Sequence, residues 1–424
     1  MIFLTKWKET EIGEIPEDWE VKFLKDISDV LTGFPFKGEE YSLDEGILVV
    51  RGENLSYRKF RWDIPKRWRF LNDSIKKYLL KENLVVVSMD GNVGVNKAIT
   101  RKKDLPLLLA QRVAAIIAKK GECQDFINQV IMSDLFLKYC NQIKTGTTIN
   151  HISKVQIESF KILYPNNIKE QKAIAKILSD LDYKIELNNQ MNATLEAMAQ
   201  AIFKHWFIDF EFPDENGKPY KSSGGKMVDS ELGKIPEGWK IKILKEISEN
   251  FDSKRVPLSS RERTERKGQY PYFGATGILD YVDKYIFDGT YILMGEDGSV
   301  IDDRGYPILQ YVWGKFWVNN HAHVLKGNGI SDELLYILLK NTNVSHIITG
   351  AVQPKINQGN MNDLKYALPD QATLLKISEG IMPLFNKIKS NYEQIGTLTK
   401  LRDSLIPKLM SGQIRVPTEA IKNA

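Results

Sequence analysis

The chain repeats itself, and this duplication limits the folds open to it more than any other feature. The stretch IGEIPEDWEVKFLKDIS (12–28) returns as LGKIPEGWKIKILKEIS (232–248), 220 residues later. A looser repeat matches 146–165 with 350–369 at an offset of 204. Because self-similarity at a fixed spacing marks a repeated structural unit, we expect two copies of one frame. A chain of 424 residues also exceeds one ordinary hydrophobic core.

Each copy is followed by a helical segment whose seam positions alternate in steps of four and three. This spacing is typical of the a and d positions of a coiled coil. The first seam comprises Ile174, Leu178, Leu181, Ile185, Asn188, Leu195 and Ile202, and the second comprises Ile377, Ile381, Leu384, Ile388, Asn391, Ile395, Leu398 and Leu405. Two matched seams in one chain predict that the helices pack on each other. The alternative is that each is an ordinary amphipathic helix packed on its own domain.

Two details refine the helix prediction. Asn188 and Asn391 occupy equivalent positions at an offset of 203, and a buried Asn fixes register at a cost in stability. Gly380 and Pro383 fall early in the second helix, where we expect a kink or a restart. The connecting segment is long enough for parallel or antiparallel pairing, and a pseudo-two-fold arrangement favours the antiparallel one.

The predicted fold class is α+β, with two globular domains separated by two long helices in an antiparallel coiled coil. Strands are indicated by β-branched runs such as NLVVVSM, RVAAIIA and GTYILMGEDG. A stretch rich in Pro, Gly and Ser indicates a linker. The predicted bounds are 1–165 for the first domain, 166–210 for the first helix, 211–231 for the linker, 232–369 for the second domain, and 370–424 for the second helix and tail.

Composition excludes several classes of protein. Contents of 42% hydrophobic and 27% charged residues are those of a globular chain, and no apolar run reaches the ~20 residues that span a bilayer. The two cysteines, Cys123 and Cys140, rule out a disulfide framework or a cysteine metal cluster. Without a signal peptide, a cytoplasmic location is expected. A net charge of +5 is compatible with nucleic acid but does not single it out.

Two segments rich in cations are candidates for DNA contact: YRKFRWDIPKRWRF (57–70), where the cations alternate with aromatic residues, and KRVPLSSRERTERK (254–267). Cations neutralise phosphates or bind guanine edges, and the aromatic rings can anchor the segment. The alternative is a solvated run of charges above buried rings. The candidates are Arg58, Lys59, Arg61, Lys66, Arg67 and Arg69 in the first segment and Arg255, Arg261, Arg263 and Arg266 in the second.

Three further stretches add polar candidates. The glycine-led loops TGTTINH and GAVQPKIN contribute Thr147, Asn150, Gln353 and Lys355, which could serve phosphates; a plain joint between domain and helix is the alternative. The stretch NNHAHV contributes Asn320, His321 and His323, with both imidazoles expected on one face of a strand. No metal site is predicted there, because no further ligand lies at a suitable spacing. A base or phosphate contact, or a purely structural strand, is expected instead.

Catalytic signatures are missing from the sequence. It has neither a G-x-x-x-x-G-K-[ST] loop nor a G-x-G-x-x-G turn, and no N-P-P-aromatic run of an amino-methyltransferase. The PDEN of 213–216 lies in the linker, and no (D/E)-x-K follows it at a suitable distance, which argues against a nuclease site. A non-catalytic DNA reader is therefore preferred. The alternatives are a nuclease or methyltransferase polypeptide with fused recognition domains, and a pure coiled-coil scaffold.

Taken in order, five stretches resemble the specificity subunit of Type I restriction–modification systems along nearly the whole chain. They are the paired openings GEIPEDW and GKIPEGW, the linker FPDENGKPYKSSGGKM, the run YPYFGATGILDYVDKYIFDGTYILMGEDG (270–298) and the closing LTKLRDSLIPKLMSGQI (398–414). The resemblance implies two target-recognition domains, each reading half of a bipartite asymmetric site in double-stranded DNA, with the helices setting the spacer.

The resemblance also implies partners. Two methyltransferase subunits would bind S-adenosylmethionine and methylate adenine, and ATP-driven restriction subunits would complete the nuclease. The specificity subunit would hold no catalytic residues and no cofactor of its own, with S-adenosylmethionine, ATP and Mg²⁺ on its partners. No membrane partner is expected.

Overall fold

The computed structural model describes residues 6–145, 150–350 and 352–417 of the chain. They belong to two compact units, Met1–Leu187 with Gln394–Ala424, and Asn188–Glu393. Each unit holds one strand-rich domain together with part of each long helix. Each compact unit therefore contains residues that the sequence predicts as separate segments, namely a domain and parts of both long helices.

The first copy of the repeat begins with short strands and ends in the first long helix. Its strands are β1 Trp7–Thr10, β2 Gly13–Pro16, β3 Trp19–Phe23, β4 Ser28–Thr32, β5 Ile47–Val50, β6 Leu55–Ser56, β7 Lys59–Phe60, β8 Arg67–Trp68, β9 Val85–Ser88, β10 Lys97–Ile99, β11 Leu107–Leu109, β12 Val113–Ala118 and β13 Lys161–Pro165. Its helices are α1 Leu24–Ile27, α2 Asp73–Lys76, α3 Gln124–Met132, α4 Asp134–Ile143, α5 Lys154–Glu158 and the long α6 Ile168–Phe203, which ends in a π-helical turn, Lys204–Ile208.

The second copy follows the same plan. Its strands are β14 Met227–Ser230, β15 Gly233–Pro236, β16 Lys240–Ile243, β17 Ser248–Asn250, β18 Lys267–Phe273, β19 Ile278–Val282, β20 Phe287–Asp288, β21 Tyr291–Gly295, β22 Leu309–Val312, β23 Lys315–Val318, β24 Ala322–Gly327 and β25 Lys365–Leu368. Its helices are α7 Leu244–Ile247, α8 Ser260–Glu265, α9 Asp332–Lys340, α10 Gln358–Asn362 and the long α11 Gln371–Met410. None of the helices in the described ranges is long and apolar enough to cross a membrane.

One set of elements recurs in both units, and we call it the frame. Its centre is a four-stranded antiparallel sheet, ordered β4–β12–β9–β10 in the first unit and β17–β24–β21–β22 in the second. The hairpin β1–β2 corresponds to β14–β15, and the pair β3–β13 corresponds to β16–β25. The repeated sequence thus folds into the same strand order twice, as expected from the duplication.

The remaining strands differ between the units, and we call them the heads. The first head contains the mixed sheet β11–β5–β8, and the second contains the sheet β19–β18–β23–β20. Each central sheet lies between two cores. In β9, Val85 and Val87 join the core that includes the long helices, while Val86 joins the core of the head. Burial on both faces explains why these strands read as continuous apolar runs instead of alternating ones.

Within the first unit, α6 and α11 run antiparallel. The Nη1 of Arg402 donates to Asp182 at 2.8 Å, and Arg415, just beyond α11, donates from Nε to Glu170 at 2.6 Å. Residue numbers therefore fall along one helix as they rise along the other. Ile174 belongs to the same core as the last turns of α11, as the predicted seam requires.

Within the second unit the two helices also run antiparallel. The Nδ2 of Asn391 donates to the Oδ1 of Asn192 at 2.8 Å, and Phe203 near the end of α6 shares a core with Ile377 near the start of α11. All predicted seam residues are buried or half-buried. The structure adds the register: Asn391 is paired with Asn192, although the repeat aligns it with Asn188.

The structure corrects two expectations about backbone continuity. Helix α11 runs without a restart through Gly380 and Pro383, both exposed, where water can satisfy the carbonyl that proline leaves without a donor. The segment 211–231 is no free linker. The rings of Phe212 and Tyr220 stack with centroids 4.7 Å apart, Phe212 packs on Trp239, and β14 pairs with β15. Aromatic burial overrides the Pro, Gly and Ser content of this segment.

The Asn192–Asn391 pair gives a testable expectation for stability. Asn391→Leu should destabilise the chain by about 1–3 kcal/mol, because the Asn192 amide is left buried without its partner. Changing both residues to leucine should recover that loss or more, since two apolar groups replace a buried polar pair. Thermal unfolding of the two single variants and the double variant measures the coupling. A double variant that loses the sum of both single effects would contradict the pairing.

Candidate nucleic-acid interface

Arg58 is bound inside the first unit. It lies between β6 and β7 with a φ of 60°, and its side chain is 12% exposed. Its Nη2 donates to Asp182 of α6 at 2.7 Å, and its Nη1 donates to the backbone oxygen of Met132 at 3.1 Å. Asp182 also accepts from Arg402, so one carboxylate joins the head to both long helices. This placement removes Arg58 from the DNA candidates, because separating a buried ion pair is costly.

Two other arginines of the first basic segment remain accessible. Arg61 and Arg69 are 52% and 53% exposed, and they pair with Asp63 at 3.2 Å and Glu45 at 3.5 Å. Such exposed pairs are weak, and a phosphate can replace the carboxylate at little cost.

The remaining cations of this segment differ in their exposure and in their protein partners. Arg67 donates to the backbone oxygen of Gly46 at 3.1 Å. Lys59 is exposed and Lys66 half-buried, and neither has an ion pair in the described part of the chain. Trp68 is 5% exposed, so an aromatic ring anchors the segment as predicted. Lys59 is accordingly the clearest free cation for a phosphate contact.

In the second basic segment, Arg255 is also committed to the fold. Its side chain is 12% exposed, and its Nη1 donates to Glu296 at 2.6 Å and to the backbone oxygen of Ala322 at 2.7 Å. A second carboxylate, that of Asp252, lies 3.5 Å from its Nη2. Arg255 therefore holds frame strands together and is corrected from a DNA candidate to a structural residue.

The other arginines of this segment follow a gradient of exposure. Arg263 is 19% exposed and donates to a backbone carbonyl at 2.7 Å. Arg266 lies over the ring of Trp317, 4.7 Å from its centroid. Arg261 is 87% exposed and, within the described residues, pairs only with its helical neighbour Glu265. Of the three, Arg261 is the one free to reach a phosphate.

The glycine-led loops contribute unequally. Thr147 lies outside the described residues. The backbone oxygen of Asn150 accepts from the N–H of Gly91 at 2.9 Å. Gln353 is exposed, and Lys355 is 46% exposed and pairs with Glu296 at 3.1 Å.

The two histidines do not share a strand face. His323 is 1% exposed, with Nδ1 2.6 Å from Asp252 and Nε2 2.8 Å from the backbone oxygen of Ile356. Both partners are acceptors, so both ring nitrogens must donate, and none is left for DNA. His321 instead lies in the exposed turn before β24, beside the exposed Asn320.

Three potential metal ligands meet around His323, where the sequence offered no further ligand. The nearest ligand atoms of Asp252, Glu296 and His323 lie within 4.8 Å of one another. Burial pushes the pKa of Asp252 upward, but the hydrogen bond and charge of His323 and the charge of Arg255 hold it below its ordinary value. The Glu296 carboxylate forms ion pairs with Arg255 at 2.6 Å and with Lys355 at 3.1 Å. The carboxylates are thus matched by the protein's own cations, which fits an ion network better than a metal centre.

A charged cluster absent from the sequence prediction lies at the end of β9, and we call it the Asp90 cluster. Asp90 accepts from the Nη1 of Arg112 and from the Nδ1 of His151, each at 2.5 Å. Burial raises the pKa of Asp90, but the hydrogen bonds from these two residues lower it below its ordinary value. Arg112, directly before β12, is 67% exposed. The carboxylate therefore holds a solvent-facing guanidinium at the edge of the frame.

The second unit has a counterpart, the Asp297 cluster. His321 lies with its Nδ1 2.5 Å from Asp297, and its side chain is 49% exposed. The backbone oxygen of His321 accepts from Glu296 at 2.9 Å, just as that of Arg112 accepts from Met89 at 2.9 Å. Arg112 and His321 thus occupy the same point of the two frames.

Further backbone contacts fix the same correspondence. The backbones of Thr349 and Lys355 exchange two hydrogen bonds, as do those of Thr145 and His151. The sequence carried a signal for the two clusters, since each aspartate is followed by glycine, in DGN at 90–92 and DGS at 297–299. An Asp-Gly pair after an apolar run indicates a hairpin turn, so the sequence alone did not show that each aspartate also binds a basic side chain.

Comparison with known proteins gives the family. Residues 16–197 and 236–400 match the family model of the Type I restriction modification DNA specificity domain. The chain belongs to the specificity subunits of Type I restriction–modification systems. The MjaIX specificity subunit of Methanocaldococcus jannaschii is 27% identical, with 97% of each chain covered. The EcoprrI specificity subunit of Escherichia coli is 23% identical, over 78% of this chain and 80% of that one.

A solved structure agrees on the fold. The S subunit of a Type I system from M. genitalium superposes with a TM-score of 0.57 at 16% identity, covering 92% of this chain and 96% of that one. The α+β fold with two specificity domains and a long helix between them is confirmed. Family membership makes the chain a DNA-recognition subunit and not a catalytic one.

Arg58 and Lys59 are neighbours with different expected roles. Arg58→Ala should lower stability by about 1–3 kcal/mol, because Asp182 and the Met132 carbonyl lose a donor. Lys59→Ala should leave the unfolding midpoint unchanged and reduce the salt slope of DNA binding by about one. Thermal unfolding and salt titration of duplex binding measure the two effects. An Arg58→Ala chain as stable as the parent, or an unchanged salt slope for Lys59→Ala, would contradict these assignments.

Proposed function

We propose that each head reads one half of a bipartite asymmetric DNA site, and that the paired long helices set the number of base pairs between the halves. The observation that supports this most is the combination of one frame with two different heads. The frame sheets have the same strand order, whereas the head sheets β11–β5–β8 and β19–β18–β23–β20 do not. Identical readers suit a palindrome, and unlike readers suit unlike half-sites.

Exposed cations on the heads favour duplex DNA as the ligand. Lys59, Arg61 and Arg69 belong to the first head segment, and Arg261 belongs to the second. Each can neutralise a phosphate and release a counterion, which gives affinity without sequence preference. Base contacts near these positions would then supply the specificity.

The proposed assembly includes two methyltransferase subunits and the restriction subunits. The relatives are named as specificity subunits of Type I restriction enzymes, which supports a shared architecture. In this assembly, S-adenosylmethionine, ATP and Mg²⁺ would be bound by the partners. This chain would supply recognition of the DNA site and not catalysis. Its carboxylates Asp252 and Glu296 are already paired with arginine, lysine and histidine side chains.

Exchanging the interior of one head tests whether the two heads read DNA independently of each other. Replacing 249–349 with the same interval of a related specificity subunit should change one half of the methylated sequence and keep the other half and the spacer. The reason is that the interval carries the second head and leaves β16, β25 and both long helices in place. Mapping methylated bases in DNA from cells that carry the full system gives the answer.

The matched control exchanges the equivalent interval of the first unit, 29–145. It should change the opposite half of the site. If either exchange altered both halves, the heads would not read independently and the proposal would fail.

A further inference from the structure

We propose that Arg112 and His321 are matched base-reading residues, one in each unit, each held in position by an aspartate. This inference rests on the proposed function as a reader of two half-sites. Asp90 holds Arg112 and Asp297 holds His321, both at 2.5 Å. Both side chains project from the turn before the equivalent frame strand, β12 or β24, and both are largely exposed.

Stability does not account for Arg112. Its φ of 64° lies in the left-handed region, which glycine adopts at less cost than arginine. Its ion pair with Asp90 involves a side chain that is 67% exposed, and exposed pairs stabilise little. A residue that strains the backbone and gains little from its partner points to a role outside folding.

The aspartates favour a base over a phosphate as the ligand. The Asp90 and Asp297 carboxylates are each only 20% exposed, unlike the exposed Asp63 and Glu45 beside Arg61 and Arg69, so a phosphate displaces them less readily and is repelled by their charge. The same carboxylate fixes the direction in which the free ring or guanidinium edge points. The residue type also differs at one shared point of the frame. Phosphates are the same in both half-sites, whereas bases differ.

The two side chains offer different hydrogen-bonding groups. Arg112 only donates, which matches the O6 and N7 acceptors of guanine in the major groove. When Nδ1 carries the ring proton and donates to Asp297, Nε2 is the acceptor of that tautomer. That group matches the exocyclic amino group of adenine or cytosine. We therefore infer a guanine in the half-site of the first unit and an adenine or cytosine in that of the second.

The test uses the full system in cells, with methylated sites mapped for each variant, and purified complexes assayed on duplexes with single base changes. Arg112→Ala should lower discrimination at one base pair of one half-site by about 10- to 100-fold. The other half-site and the spacer should stay as in the parent. His321→Ala should do the same in the opposite half-site. Arg304→Ala, which removes an exposed pair with Asp302, is the matched control and should leave the motif unchanged.

Two further variants separate base reading from other roles. Arg112→Lys keeps the positive charge but loses the planar set of N–H donors of the guanidinium, so discrimination at the same base pair should fall. If lysine restored full activity and the motif were intact, Arg112 would be a phosphate contact and the inference would fall. Arg112→Gly suits the left-handed backbone, so its melting temperature should be no lower than that of Arg112→Ala while discrimination is still lost.

The outcomes also distinguish the two proposals. An unchanged motif with both Arg112→Ala and His321→Ala would overturn this inference and leave the proposed function standing. A parent system that methylates no bipartite motif would overturn both.

Discussion

The antiparallel contact between the two long helices is the interaction on which the rest of the structure depends. In the first unit it includes a carboxylate, Asp182, that accepts from Arg402 of α11 and from Arg58 of the head. The positions related to Asp182 and Arg402 by the 203-residue offset are Phe385 and Ala199, both buried in the core of the second unit. At this pair of positions, the first unit joins its helices through an ion pair and the second through apolar packing. Salt and temperature should act on the two junctions differently, since desolvated ion pairs and apolar contacts respond to them differently.

The two units share one frame and differ in the basic side chain and the head strands that this frame carries. Backbone hydrogen bonds around the Asp90 and Asp297 clusters are the same in both units, while the basic residue at their centre differs. The heads differ in sheet order as well. Changes in a head can leave the helix core intact, because the head core and the helix core lie on opposite faces of the central sheet.

The sequence predicted the repeating parts well and the individual contacts poorly, for a physical reason. Strand patterns such as RVAAIIA and the seam from Ile174 to Ile202 are set by local periodicity, and the structure confirms them. Arg58 and Arg255 resembled free cations in the sequence, but their partners are distant in the chain: Asp182 lies 124 residues from Arg58, and Glu296 lies 41 residues from Arg255. The role of Arg112 depends on a backbone angle and on Asp90, and one arginine before a strand reveals neither.

The most direct test of the account is a paired insertion in the long helices. The contact between Asp182 and Arg402 places Leu187, five residues after Asp182, and Thr397, five residues before Arg402, at matching heights. One heptad inserted after each of these residues keeps the seam in phase and adds ~10.5 Å of helix. The spacer of the methylated motif should grow by about three base pairs, at ~3.4 Å per step, with both half-sites unchanged. An unchanged spacer in a complex that still methylates DNA would contradict this role of the long helices.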